Sequence, residues 1–269
     1  MLIGHLTDLH AVAEGQTLGG RVDTNRLAEL AVESVNSAAY KPEFVVVTGD
    51  LTHQGKPAQM QVARRILDGL SSPYFVLPGA HDDTEVFWQV FGDLPYLKDG
   101  GEARYCVDEF DVRLIAVDTT RGKGAPPDFG DGRGAWLREQ LASAPQRPTV
   151  IAMHHPPFQC RIPVATYVKD QQVSWANGLK GIVADFPNVK LILCGHVHRS
   201  IQTLWAGAMV SVCPATCVQA EPKFGDLGEA VTDRRATSLV LEPPAYQVHW
   251  WDGLNFATFT LPTESFERI

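Results

Sequence analysis

The chain has 269 residues, a formal net charge of −8 and a pI near 5.6, with 45% hydrophobic and 20% charged residues. That is enough chain to bury a large α/β core, and an acidic balance argues against a nucleic-acid polymer held on a basic surface. No stretch reaches the roughly 18–20 apolar residues of a membrane span.

The first residues, Met1 to Leu6, run straight into a strand-like pattern without the basic flank and apolar region of a signal peptide. The five cysteines, Cys106, Cys160, Cys194, Cys213 and Cys217, are odd in number and scattered, so no disulfide framework is implied and a reduced, cytoplasmic location is expected. Thr24–Tyr40 reads as a helix with Leu27, Leu30, Ala31, Val35 and Ala38 on one face and Asp23 or Thr24 as its cap. Glu43–Thr48 reads as a buried strand, Pro57–Leu70 as a helix opened by proline, and Tyr74–Leu77 as a second strand. Val112–Val117, Thr149–Met153 and Val189–Cys194 are further short β-branched strands, with helices expected over Trp136–Ala144 and Gln171–Phe186. Thr203–Val212, Thr237–Leu241 and Ala245–Trp251 read as strands with few helices between them. The glycine-rich run Arg121–Gly134 lacks the start of a dinucleotide loop and reads as a surface loop near a site entrance. The alternation predicts an α/β fold with a parallel component. No linker separates two independent domains, so residues 1–269 are expected to form one, with the strand-rich 203–269 portion completing a sheet or making an oligomer contact.

Seven of the nine histidines follow closely after a predicted strand. Ligands in open α/β sheets bind just beyond the carboxyl ends of strands. Five such ends present Thr7-Asp8-Leu9-His10, Gly49-Asp50-Leu51-Thr52-His53, Gly79-Ala80-His81-Asp82, His154-His155-Pro156-Pro157 and Gly195-His196-Val197-His198. In extended backbone, residues i and i+2 point the same way, so Asp8 with His10, and His196 with His198, can face one point. A lone histidine beside a strand is usually a hydrogen-bonded structural residue; five strand ends together point to a metal. Imidazole with carboxylate and no evident thiolate suits Mn, Fe, Co or Zn. Asp50 is the natural bridge, because two cations roughly 4 Å apart need an anion between them. Cys213 and Cys217, at a spacing that is not C-x-x-C, read as small core residues, and His249-Trp250-Trp251 reads as core or an oligomer contact.

As an ordered set, D-x-H, G-D, G-[N]-H-D, H-H-P-P and G-H-x-H resemble the calcineurin-like metallophosphoesterase superfamily, in its class III cyclic nucleotide phosphodiesterase and glycerophosphodiesterase branch. The resemblance runs from Met1 to about Gln219. It implies a four-layer αββα sandwich, two packed mixed sheets flanked by helices, and a homo-oligomer. It also implies two divalent ions, one held by Asp8, His10, Asp50 and His198 and the other by Asp50, His154 and His196. His81 takes the position beside the scissile phosphate, and His155 one behind the ligands. The family's asparagine ligand is replaced by Ala80, which offers no donor. The second ion should therefore bind more weakly unless water, substrate, Asp82 or Asp83 fills the gap. The implied substrate is a small phosphodiester: a cyclic nucleotide first, 2′,3′ or 3′,5′, and a glycerophosphodiester second. A scaffold that has lost its metal is the non-enzymatic alternative.

Overall fold

A computed structural model describes residues 1–97, 101–160, 162, 173–222 and 238–264. Its first sheet begins with β1 (Leu2–Leu6), followed by helix α1 (Thr24–Ser37), β2 (Phe44–Thr48), α2 (Pro57–Leu67), β3 (Tyr74–Leu77) and α3 (Thr84–Phe91). The second is built from β4 (Tyr105–Val107), β5 (Arg113–Ala116), α4 (Asp131–Ser143), β6 (Thr149–Ala152), α5 (Asn177–Asp185) and β7 (Val189–Cys194), then β8 (Ile201–Trp205) and β9 (Ala208–Val212). A short pair, β10 (Gln219–Ala220) and β11 (Leu239–Val240), precedes β12 (Ala245–Trp251) and β13 (Phe256–Pro262). The sheet orders are β13-β12-β1-β2-β3 and β4-β5-β6-β7-β9-β8. Both are mixed: β1, β2 and β3 run parallel, as do β5, β6, β7 and β9, with antiparallel strands at the edges.

Strand alternation makes the layers. On the second sheet Leu114, Ala116, Val150, Ala152, Leu191 and Leu193 belong to the core shared with the first sheet. Their neighbours Ile115, Ile151 and Ile192 pack outward with Leu137, Leu141, Leu179 and Ile182 of α4 and α5. Helices α1, α2 and α3 cover the other side of the first sheet through Ala28, Val32, Met60, Ile66 and Phe87. The result is the expected four-layer αββα sandwich. None of the helices among the described residues is long and apolar enough to cross a membrane.

The structure refines several expected elements. Asp23 caps α1 by accepting from the Arg26 N–H at 3.0 Å, and the helix ends at Ser37, three residues early. Thr203–Val212 is a hairpin and not one strand: Ala206 and Gly207 both take positive φ, 51° and 90°, the turn geometry that matches strand twist. Helix α4 starts at Asp131, so Gly132 and Gly134 are helical and not loop. Helix α3 and strand β13 were not foreseen. Gln171, Gln172 and Thr237, from the ends of two expected elements, lie outside the described residues.

Between the sheets lies a buried polar seam. His5 Nε2 meets Thr48 Oγ1 at 2.9 Å, and His249 bridges Thr258 Oγ1 at 2.8 Å and His5 Nδ1 at 3.4 Å. Gln247 accepts from Ser211 Oγ and donates to the Val212 carbonyl. Burial pushes His249 down to about 3 and, with His249 nearby, His5 well below its ordinary value. Both rings are thus neutral in the fold, while in the unfolded chain they protonate below about pH 6.5. The stability tied to neutral His249 is complete above that pH and is lost as pH falls toward about 3, at ~2 kcal/mol by pH 5. In urea unfolding of metal-free protein, His249→Gln should lose about that much less stability than the wild type between pH 7 and 5; equal losses would contradict this account.

Candidate metal centre

The carboxyl ends of β1, β2, β3, β6 and β7 carry Asp8, His10, Asp50, His81, His154, His155, His196 and His198, which converge on one cluster. Asp8, His10, Asp50 and His198 each place one donor atom within 4.8 Å of the others, and so do His154, His155 and His196. Asp50 lies between the two groups. Its Oδ2 is 3.7 Å from His10 Nε2, while its Oδ1 is 3.3 Å from His154 Nε2 and accepts the His81 N–H at 2.8 Å. One carboxylate thus presents an oxygen to each side.

Convergence is achieved by a different backbone from the expected one. Asp8, His10, Asp50, His196 and His198 have φ of 53°, 45°, 47°, 74° and 50°. These are left-handed conformations, which non-glycine residues rarely adopt and which cost on the order of 1–3 kcal/mol each. The paired residues therefore face one point through tight left-handed turns and not through strand alternation. Glycine makes room for the close passage of chain. A Cβ on Gly79 would stand 2.0 Å from the Asp50 nitrogen, and one on Gly195 would stand 1.9 Å from Thr7 Oγ1. His154 and His155 also lie outside a strand. Strand β6 ends at Ala152, and beyond it the two rings lie 4.7 Å apart, edge to face.

Backbone carbonyls fix the rings. Nδ1 of His154 donates to the Thr48 carbonyl, that of His198 to Val218 and that of His81 to His53, at 2.7, 2.7 and 2.8 Å. These bonds place a proton on Nδ1 and leave Nε2 as the atom through which each ring would bind an ion, as outer partners of metal-binding histidines do. The His155 Nδ1 meets Thr119 Oγ1 at 2.8 Å. Residues 213–220 back the centre in a way the sequence reading missed: besides Val218, the Cys217 thiol donates to the Asp8 carbonyl at 3.2 Å. Burial raises both the Cys213 and Cys217 thiols, in line with packing residues.

Ala80 leaves a gap that its neighbours do not fill. The Asp82 carboxylate accepts from the Leu51, Thr52 and Gly79 N–H groups at 3.0, 2.9 and 2.8 Å, and from Thr52 Oγ1 at 2.7 Å. Asp83 caps α3 by accepting from the Val86 N–H. Both carboxylates are occupied as structural acceptors. The expected entrance loop does lie here, its Gly124 N–H donating to the Ala80 carbonyl at 2.8 Å. His53, given no role by sequence, stands beside His81 and His10, with ring centroids 5.8 and 6.0 Å away.

The charge balance asks for a cation. Asp8 and Asp50 are both buried, and Asp8 Oδ1 is a buried oxygen without a hydrogen bond among the described residues. Burial raises Asp8. Burial also opposes ionisation of Asp50, yet His154, His81 and His10 hold it well below the usual carboxylate range. Burial would lower His154, but the carboxylates of Asp50 and Asp8 carry it up to about 9. A protonated His154 thus supplies the positive charge that divalent ions would bring. An orphaned carboxylate oxygen, imidazoles clustered nitrogen to nitrogen and a shared Asp50 fit a pair of such ions.

A buried His/Asp cluster at the strand ends of a four-layer sandwich defines a metal-binding α/β protein. Residues 1–200 match the calcineurin-like phosphoesterase family, and the chain belongs to it. It is 34% identical over 223 residues to a glycerophosphodiester phosphodiesterase of Enterobacter lignolyticus, covering 81% of this chain and 78% of that one. It is 32% identical over 224 residues to a cAMP/cGMP dual specificity phosphodiesterase of Mycobacterium tuberculosis, covering 79% and 66%. In fold it is similar to a dimetal phosphatase from Danio rerio, with a TM-score of 0.67 at 12% identity over 98% of this chain and 99% of that one.

Metal uptake should displace the His154 proton. Calorimetry of metal binding at pH 7.5, in buffers of different ionisation enthalpy, should show release of about one proton per chain; heats independent of buffer would refute it.

Proposed function

We propose that the chain is a metal-dependent phosphodiesterase that hydrolyses small phosphodiesters, cyclic nucleotides foremost. The observation that carries this reading is Asp50, whose two oxygens face two separate histidine groups. Asp8, His10, Asp50 and His198 would hold one divalent ion, and Asp50, His154 and His196 the other, with Mn, Fe, Co or Zn matching the donors. When bound, such ions polarise phosphoryl oxygens and bring the pKa of water toward ~7. His81 has its Nδ1–H committed to the His53 carbonyl, so it is the imidazolium form whose Nε2–H would donate to a phosphoryl oxygen or protonate the departing alkoxide. His155 and Asp82 hold their neighbours in place. The scaffold alternative is disfavoured, because strained backbone at five ligand positions is costly to maintain without a ligand.

The test is hydrolysis of an aryl phosphodiester before and after chelation. Activity should fall at least a hundredfold on metal removal and return with Mn or Co; activity that survives complete removal would sink the mechanism. Because Ala80 gives no donor and Asp82 and Asp83 are engaged elsewhere, the second ion should bind weakly. Ala80→Asn should tighten it by about tenfold or more, the scale of a lost coordination partner, as read from metal content after dialysis.

Substrate choice follows from the same weakness. Poorer activation favours a diester that is already strained, so 2′,3′-cyclic AMP should be turned over faster than 3′,5′-cyclic AMP or glycerophosphodiesters in side-by-side assays. The name of the Enterobacter lignolyticus relative favours the second reading, glycerophosphodiesters. A preference for them would replace the cyclic-nucleotide assignment.

A further inference from the structure

His10, His53 and His81 form a third group at the edge of the centre, each with a ring nitrogen within 4.8 Å of one on the other two. The His10 and His81 rings meet edge to face at 4.7 Å, and His53 lies nearly parallel to His81 at 5.8 Å. In His81 the Nδ1–H is spent on the His53 carbonyl, which leaves Nε2. Both His10 Nδ1 and His53 Nδ1 are buried nitrogens without a hydrogen-bond partner among the described residues. Buried polar atoms are nearly always satisfied, so two orphans in one group call for an explanation such as an ion.

We propose that these three imidazoles form an accessory metal seat beside the binuclear pair, selective for Zn2+ or Co2+. Three imidazoles and no carboxylate suit those ions better than Mn2+ or Mg2+, which prefer oxygen. Metal–nitrogen bonds of about 2.0–2.1 Å would draw the rings together by roughly 1 Å. His53 is the ring best placed to move, being partly exposed and held by no side-chain hydrogen bond to its Nδ1. His10 is common to this seat and to the first ion position, so the two are filled together with His10 bridging them as an imidazolate, its ring proton released to solvent, and otherwise one at a time. An ion here also occupies His81 Nε2. On the reading of His81 given above, excess zinc would then inhibit hydrolysis while manganese would not.

Calorimetric titration with Zn2+ of the full chain, previously saturated with Mn2+, tests the seat without relying on turnover. Beyond the exchange of Zn2+ for Mn2+ at the pair, wild type should show a further Zn2+ binding event that His53→Ala loses or weakens at least tenfold. His53→Gln keeps a polar side chain and removes only the imidazole, so it should lose the event too, while its thermal melt reports that the fold is intact. Retention of the event in either variant overturns the proposal. In parallel, zinc inhibition of the Mn2+-loaded enzyme should weaken at least tenfold in both variants. If the metal-loaded wild type hydrolyses no phosphodiester, the functional reading fails, and the isotherms still judge the seat by themselves.

Discussion

Two carboxylates, Asp8 and Asp50, are buried within a ring of imidazoles at the strand ends, and the rest of the structure is arranged around keeping them there. Removing a carboxylate from water is expensive unless positive charge or donors replace the lost hydration. The protein supplies part of that replacement. Asp8 Oδ2 accepts the His196 N–H at 2.9 Å and the Thr7 hydroxyl at 2.9 Å, and Asp50 Oδ1 accepts the His81 N–H. Of the histidines around them, burial lowers His10 well below its ordinary value and His196 to about 3, while the carboxylates of Asp50 and Asp8 carry His154 up to about 9. The centre is therefore an electrostatic deficit built into the fold, of the kind that divalent cations would correct.

Backbone strain is the second cost of this arrangement, and the sandwich absorbs it. The strained turns begin where β1, β2 and β7 leave the buried sheets. Side chains of those strands, such as Ile3, Val46, Val47, Leu193 and Cys194, are wholly buried, so the roots of the turns are held rigidly. Backbone bonds tie neighbouring turns together as well: the Asp8 N–H donates to Gly49, the His10 N–H to Asp50, and the Gly195 N–H to His154. A ligand turn cannot relax without disturbing the next one. This coupling pre-organises the donors, and it explains why the glycines at 79 and 195 have no space for a side chain.

Much of this was legible in the sequence. Strands as short as Tyr74–Leu77 and as apolar as Val189–Cys194 announce themselves because both faces of each sheet are covered, and the D-x-H and H-x-H spacings mark the ligand turns. What sequence could not convey was conformation. The spacing of Asp8 and His10 is the same in an extended strand and in a left-handed turn, and only the fold decides between them. Helix α3 escaped because Thr84–Phe91 is apolar on most sides and only two turns long. Its two fully buried phenylalanines, Phe87 and Phe91, give too short a run for periodicity to speak. His53 went unassigned because its role depends on His81 and His10, which are distant in sequence. The contribution of residues 213–220 is mostly made through backbone carbonyls, which carry no residue signature.

Ala80 shows how tightly the remaining parts are committed. A missing donor beside a metal position can be offset only by a neighbour with a free lone pair and freedom to turn. Asp82 has neither, since its carboxylate ties the loop after β2 to the loop after β3 through three N–H groups and a hydroxyl. Turning it toward the centre would leave those buried donors unsatisfied, at about 1–3 kcal/mol each. Asp83 is held in the same way by the first turn of α3. The gap at Ala80 is consequently open to a group from solution. The proposed asymmetry between two ion positions would follow from the hydrogen-bonding of the scaffold as much as from alanine at position 80.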